Sequence, residues 1–249
     1  MAFLQIKNLS KEFAKKDGRT AKVLDGINLD IRKKEFIAVF GPNGCGKTTL
    51  LKILAGFEKA TAGEAFLRKK PVEDAKSYLV FQNSEDSLFN WMNVRQNIEI
   101  ALNDTAKNEN VEAILKEMHA GGKDLMHFSE HYPYQLSGGL KQLTVLARAM
   151  AFNPELLLLD EPFSSLDFKT AMQMEDSLLE IWEKTKKTVL FVSHHVEEAV
   201  YLADKVVVLS EQPTKVRKII DVGLPRPRNQ SMKLSLKFQE IKRKILEQW

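Results

Sequence analysis

One cysteine, Cys45, stands in 249 residues, so no intrachain disulfide framework exists and the chain suits a reducing compartment. No apolar run approaches the ~20 residues that a bilayer-spanning helix needs. The opening "MAFLQIKNLSKEF" lacks the basic-then-apolar layout of a secretory leader. Net charge is only +4 with both signs interspersed, which singles out no class of partner. Internal repeats and low-complexity segments are also missing. Together these absences argue against a disulfide scaffold, an integral membrane protein and a solenoid, and the expectation is a soluble, cytosolic globular chain. With 44% hydrophobic residues, it can bury one large core, or a core plus a subdomain.

Short apolar runs alternate with helical patterns, which predicts an α/β fold with a largely parallel sheet. The predicted central strands are Phe36–Phe40, Tyr78–Phe81, Leu156–Leu159 and Thr188–Val192. Each runs directly into polar chemistry: Gly41 opening a glycine-rich loop, then Gln82, then Asp160-Glu161, then Ser193-His194. Ligands of open α/β sheets bind beyond the carboxyl ends of the strands, so these groups are expected along one sheet edge. Ahead of them, Phe3–Leu9 and Val23–Ile31 read as antiparallel strands. Residues 84–152 are mostly helical in pattern, with no convincing strand, and read as an inserted helical subdomain. Beyond Ser210 come short strands and "GLPRPRN", a stiff proline-spaced connector. Leu234, Phe238, Ile241 and Ile245 then recur at helical spacing in an amphipathic last helix, which packs on its own domain or meets a membrane or partner.

"GPNGCGKT", Gly41 to Thr48, fits G-x-x-x-x-G-K-[ST] between a strand and a helix. The glycines let backbone N–H groups close around phosphates, Lys47 reaches the β/γ oxygens, and Thr48 offers a hydroxyl to Mg²⁺. "LLLLDEP" is an apolar strand ending in paired acids. Asp160 is placed to hold the metal and Glu161 to orient or activate a water. "LSGGLKQLTVLARAM" raises a puzzle, because Ser137-Gly138-Gly139 reads as a second anion-binding helix start in one small chain.

This set of motifs strongly resembles the ATP-binding subunit of ABC transporters, with "LSGGLKQ" matching that family's signature. The resemblance runs from about Leu4 to Asn229 with every motif in order. It implies one ABC ATPase domain over 1–249. Residues 1–83 and 153–230 would form a P-loop core with the N-terminal antiparallel β subdomain, 84–152 the helical subdomain and 231–249 the C-terminal helix. It also implies that Gly41, Pro42, Asn43, Gly44, Cys45, Gly46, Lys47, Thr48 and Thr49 hold ATP. Thr48, Gln82 and Asp160 would serve Mg²⁺. Glu161, His194 and Gln82 take the catalytic, switch and Q-loop roles, and Ser164-Ser165-Leu166-Asp167 is the D-loop. Alone, Phe13 reads as a strand residue and Gln82 as a strand-end polar group; in register with the rest, Phe13 stacks on adenine. Because family members pair head to tail, Ser137, Gly138, Gly139, Gln142 and Asp167 would meet the ATP of a second copy, which resolves the puzzle.

Several residues depart from the family pattern. Leu143 replaces the usual arginine after the signature: either the local charge network is altered and activity weakened, or the residue simply faces the core with Leu136 and Leu140. His195 stands where Asp commonly follows the switch histidine and reads as a surface residue. Cys45 is tolerated in the loop, and the helical insert between Ile100 and Tyr132 looks short. "FQNSEDSLFNWMNVRQNI", "HHVEEAVYLADKVVVLS" and "DVGLPRPRN" look like the importer branch for nitrate, aliphatic sulfonates and taurine, although Asn90 replaces that branch's proline. The separate regulatory domain of sugar importers is not expected. The partners implied are a second ATPase subunit, transmembrane permease subunits and, indirectly, a solute-binding protein, on the cytoplasmic face of the inner membrane and without nucleic acid. The alternative is a nucleic-acid or ribosome-associated ABC ATPase, against which stand the lack of a long heptad insertion and of a second ATPase domain.

Overall fold

Phe36–Phe40 is apolar at every position and buried at every position, so the strand it forms needs cover on both faces. The computed structural model describes residues 2–14, 18–102, 111–120 and 122–248. Its elements run β1 (Leu4–Ala14), β2 (Thr20–Ile31), β3 (Phe36–Phe40), α1 (Lys47–Leu54), β4 (Ala62–Leu67), β5 (Lys70–Pro71), β6 (Ser77–Val80), α2 (Val94–Glu99), α3 (Val111–Glu117), β7 (His119–Ala120) and β8 (Lys123–Asp124). Then follow α4 (Gly138–Ala151), β9 (Leu156–Asp160), α5 (Phe168–Thr185), β10 (Thr188–Ser193), α6 (Val196–Leu202), β11 (Lys205–Leu209), β12 (Val216–Asp221) and α7 (Leu236–Leu246). They form two units.

The first unit comprises Met1–Leu79, Glu155–Asp160 and Lys187–Trp249. Its larger sheet has the order β12-β11-β3-β10-β9-β6, and its smaller sheet the order β2-β1-β4-β5. β9, β10, β3 and β11 are mutually parallel, while β12 closes one edge antiparallel to β11. In the smaller sheet Leu4 faces Ile31, Ile6 faces Leu29 and Leu9 faces Ile27, so one apolar face is continuous across both strands. That face shares a core with Leu50 and Leu54 of α1 and with Leu158, Leu190 and Val207 of the parallel strands. Each such fully buried side chain contributes about 1.5–3 kcal/mol by area.

Of the expected central strands, Phe36–Phe40 has the expected ends, and those in β9 and β10 extend one residue further. The fourth is displaced by one residue, with Phe81 falling outside β6 and half-exposed. Two side chains of the proline-spaced connector turn inward. Arg228 donates to the carbonyls of Tyr201 and Ala203 at 2.7 and 2.9 Å, and Arg226 to those of Leu202 at 2.9 Å and to Asp204 Oδ1 at 2.8 Å. These cations satisfy the carbonyls that end α6, where the helix dipole is negative. Phe238, Ile241 and Ile245 of α7 are buried and α7 packs on α6, whereas Leu234 is 85% exposed. Leu234 lies in a 3-10 turn ahead of Ser235, which caps α7, and so leaves the apolar stripe it was expected to share.

The second unit comprises Val80–Pro154 and Glu161–Lys186. Asn93 and Gln96 form a reciprocal capping box that starts α2. Arg148 of α4 donates to the Ser87 carbonyl and hydroxyl at 2.9 and 2.5 Å. α5 packs on α4 and β7, with the Ser177 hydroxyl donating to the His119 carbonyl at 2.5 Å. β7 and β8 form a hairpin of two-residue strands in a stretch expected to lack strands; pieces this short leave no alternation to read. The insert judged short, 100–132, includes residues 103–110 and 121, which lie outside the described residues.

Candidate functional site

In the first unit, the parallel register gathers three of the predicted groups. Phe40 pairs with Ser193, and Asp160 stands level with Val192, so Gly41, Asp160 and His194 share the carboxyl edge of adjacent strands. Among them the loop 41–46 turns into α1. Gly46 sits at φ 106°, and a Cβ there would lie 2.7 Å from Val23 Cγ1, so neither conformation nor space admits a side chain. Lys47 is buried, 5% exposed, and its ammonium donates to the carbonyls of Gly41 and Pro42 at 2.9 and 3.0 Å. A buried cation resting on backbone dipoles at the mouth of a glycine loop suits an entering polyphosphate. Asn43, Gly44 and Thr48 are exposed, Pro42 and Thr49 are half-buried, and Cys45 is 2% exposed behind the loop.

Asp160 is buried at the end of β9, and α1 packs against that strand. Among the described residues no group of three or more His, Cys, Asp or Glu could hold a metal ion. The donor set here suits Mg²⁺, which usually takes one or two protein oxygens together with substrate phosphates.

His194 is half-buried and His195 exposed, as expected, with ring centroids 4.0 Å apart. Ser193, buried at the end of β10, donates to Glu198 Oε2 at 2.6 Å and accepts the His195 N–H at 2.9 Å. This serine fixes the start of α6 behind the histidines. Phe13 of β1 is 38% exposed, and the Lys11 ammonium lies 4.7 Å from its ring centroid. Lys11 is anchored by Glu58 at 2.7 Å and by the Lys59 carbonyl at 2.8 Å. A cation thus occupies one face of the ring proposed for base stacking.

In the second unit, Gln82 is exposed just past β6, its Nε2 3.5 Å from the Ser164 hydroxyl. Glu161 has φ 46°, a left-handed conformation uncommon for a non-glycine residue and concentrated at functional sites. The N–H and hydroxyl of Ser164 fold back onto the Glu161 carbonyl at 3.2 and 3.0 Å, holding that turn. Ser137 caps α4, its hydroxyl accepting the Leu140 N–H at 3.4 Å. Asp167 caps α5 and accepts both the N–H and hydroxyl of Thr170, at 3.1 and 2.6 Å. These hydrogen bonds, the Thr170 hydroxyl first, hold the Asp167 carboxyl below its usual range. Ser137 and Asp167 are exposed and Gly138 half-buried, while Gln142 and Leu143 are buried within the unit.

Sequence reasoning named Ser193 only as a strand-end group, without its bonds to Glu198 and His195, and did not find Lys11 or Thr170. Each acts on a residue it did find, and only the spacing of Asp167 and Thr170 around a helix start offered a local signal.

Comparison with known proteins bears on this geometry directly. The model for the ABC transporter family matches residues 24–164. An uncharacterized ABC transporter ATP-binding protein of Methanocaldococcus jannaschii is 43% identical over 247 residues, 98% of this chain and 90% of that protein. The aliphatic sulfonates import ATP-binding protein SsuB of Bacillus cereus is 38% identical over 248 residues, 99% of this chain and 95% of its own. Among solved structures, the dimeric ABC transporter cassette MJ0796 superposes with a TM-score of 0.72 at 26% identity, covering 89% of this chain and all of that one. The same cassette in a post-hydrolysis state with ADP and Pi superposes equally well, at 27% identity. With the glycine loop, the buried acid and the strand-end histidine on one edge, the chain belongs to the ABC transporter family as an ATP-binding, ATP-hydrolysing subunit.

Proposed function

We propose that this subunit hydrolyses ATP to power a membrane permease that imports a small anion of the nitrate, sulfonate or taurine type. The observation that carries the catalytic part is the shared edge in which Gly41, Asp160 and His194 follow paired strand ends beside the buried Lys47. Lys47 and the loop N–H groups bind the phosphates, and Phe13 stacks on adenine. Thr48, Asp160 and Gln82 would hold Mg²⁺, which when bound neutralises charge on the β and γ oxygens. Glu161 orients the attacking water, and His194 contacts the γ-phosphate side. Ser137, Gly138, Gly139 and Asp167 complete the site of a second copy of this chain, a reading supported by the dimeric cassette it resembles.

Support for import comes from the SsuB relatives, which match over nearly their whole length. Among the described residues no helix is long and apolar enough to cross a membrane. In this reading the transmembrane path belongs to permease subunits, with the cassette on their cytoplasmic face. The receiving surface is 84–97, where Trp91 is 72% exposed and the Phe89 ring stands 5.1 Å from it.

The test uses proteoliposomes carrying the permease encoded beside this chain, together with its binding protein. Uptake of taurine, an alkanesulfonate or nitrate that requires both this subunit and ATP is the expected result. Purification of the cassette with nucleic acid or ribosomes, and without any permease, would refute the reading.

A further inference from the structure

Behind the phosphate loop stands a tight hairpin that belongs to none of the motifs. β11 ends at Leu209, and the Ser210 N–H then donates to the Lys215 carbonyl at 3.0 Å, while the Lys215 N–H donates back to Ser210 Oγ at 2.9 Å. Within this closed turn Thr214 is completely buried and bridges Leu24 of β2. Its N–H donates to the Val23 carbonyl at 3.0 Å, and its own carbonyl accepts the Asp25 N–H at 2.9 Å. From this fixed backbone Thr214 Oγ1 donates to the Cys45 carbonyl. Gln212 Nε2 donates to the Gly44 carbonyl at 2.6 Å. Side chains distant in sequence thus hold two consecutive peptide groups of the phosphate loop.

A trans peptide is planar, so fixing a carbonyl in one direction fixes the following N–H in the opposite direction. Thr214, by taking the Cys45 carbonyl, turns the Gly46 N–H away from the hairpin. Gln212, by taking the Gly44 carbonyl, turns the Cys45 N–H onto the Pro42 carbonyl, 3.3 Å away, which closes the turn of the loop and so fixes the backbone that presents its remaining N–H groups. The loop is also seated sterically, since a Cβ on Gly41 would stand 3.1 Å from Leu209 Cβ. An anion site built from peptide N–H groups works best when those groups already converge, because ordering them during binding costs affinity.

We propose that Thr214 and Gln212 are positioning residues that set the Gly44 and Cys45 peptides of the phosphate loop for nucleotide before it arrives. The inference rests on the reading of Gly41–Thr48 as the phosphate site. Thr214 needs its hydroxyl for this task, whereas valine would fill the same space without donating. Gln212 is exposed, so its replacement leaves the core untouched.

The experiment measures ADP affinity at dilution, alongside thermal midpoints, for Thr214→Val, Thr214→Ser, Gln212→Leu and Lys47→Ala. Loss of one hydrogen bond's worth of alignment should weaken ADP by about threefold to tenfold in Thr214→Val and Gln212→Leu. Thr214→Ser should bind as wild type does, and Gln212→Leu should keep its thermal midpoint. If Thr214→Val fails to fold, Gln212→Leu decides alone. Wild-type ADP affinity in Gln212→Leu and Thr214→Val, with binding lost in Lys47→Ala, overturns the positioning role alone. Thr214→Ser weakening as much as Thr214→Val overturns it too, since packing rather than the hydroxyl would then matter. Wild-type affinity in Lys47→Ala overturns both this inference and the reading of the loop.

Discussion

The methyl group of Thr170 occupies the space that a side chain on Gly139 would need, with an ideal Cβ only 2.6 Å from Thr170 Cγ2. Thr170 cannot easily yield, because it is β-branched and its hydroxyl is tied to Asp167. The signature helix and the D-loop are thereby keyed to each other within one unit. Gly139→Ala should cost about 1–3 kcal/mol through overpacking. Thr170→Ser, which keeps the hydroxyl and removes the methyl, should restore most of that loss in the double variant. Equal denaturation midpoints for the Gly139→Ala single and double variants would show that the two positions are not packed as described.

Glu161 follows the buried Asp160 in a left-handed conformation held by Ser164. Glu161→Gln keeps shape and hydrogen bonding while removing charge. ATP binding should persist, and hydrolysis should fall by the ~10²–10⁴ typical of acid–base groups. An ATP-bound dimer should accumulate on gel filtration. Near-normal turnover would remove Glu161 from the mechanism.

Under the proposed function Lys47 serves its own chain's ATP and Ser137 that of a second copy, so the two should fail differently. Lys47→Ala should weaken ATP binding by the monomer itself. Ser137→Ala should leave monomer binding intact and weaken ATP-dependent dimerisation of the Glu161→Gln protein. Two lost hydrogen bonds to charged phosphate, at about 1.5–3 kcal/mol each, give roughly 10²–10⁴-fold weaker association. Weaker nucleotide binding by dilute Ser137→Ala, with dimerisation intact, would place Ser137 on its own chain's ATP.

The Phe89 and Trp91 rings stand together in a loop otherwise rich in polar residues. Phe89→Asp should leave folding and ATP binding unchanged while abolishing co-purification with the permease. Normal assembly of this variant would move the docking surface elsewhere.

Lys242 of α7 pairs with Glu197 of α6 and holds that carboxyl below its ordinary range, the hydrogen bond being the main cause. A carboxylate depressed in the folded state adds stability above its unfolded pKa of about 4.3 and loses it as pH falls through the folded value. Lys242→Met should therefore be less stable than wild type at neutral pH, with the gap closing as the pH drops below about 4.3. Urea midpoints across that range give the measurement. A gap that stays constant with pH would mean that the loss comes from packing rather than from the ion pair.

The parallel strands could be read from sequence because burial on both faces demands uninterrupted apolar runs, and β3, β9 and β10 have them. β4 escaped notice because "AGEAFL" is exposed over half its length and carries a glycine and a glutamate. "KVVVL", which forms β11, is as apolar as its neighbours but was read only as part of a longer family stretch. The chemistry of the phosphate loop was legible because its residues are contiguous. The groups that hold it were not, since Thr214 and Gln212 meet Cys45 and Gly44 only after β11 has paired with β3. Arg226 and Arg228 were hidden for the same reason. Each following a proline, they look like surface charge, and their task becomes visible only once α6 ends beside them.

Cys45 is the only thiol in the chain, and it lies under the loop with its sulfur 3.2 Å from where a Cβ on Gly41 would stand. This makes the phosphate loop its own chemical stopwatch. With Cys45 2% exposed, a small maleimide should need the loop to lift before it reaches that sulfur, so the alkylation rate is expected to count such excursions without any engineered label. Bound nucleotide should slow it, and where reclosing outpaces alkylation the ratio of the two rates gives the free energy by which ligand holds the loop down.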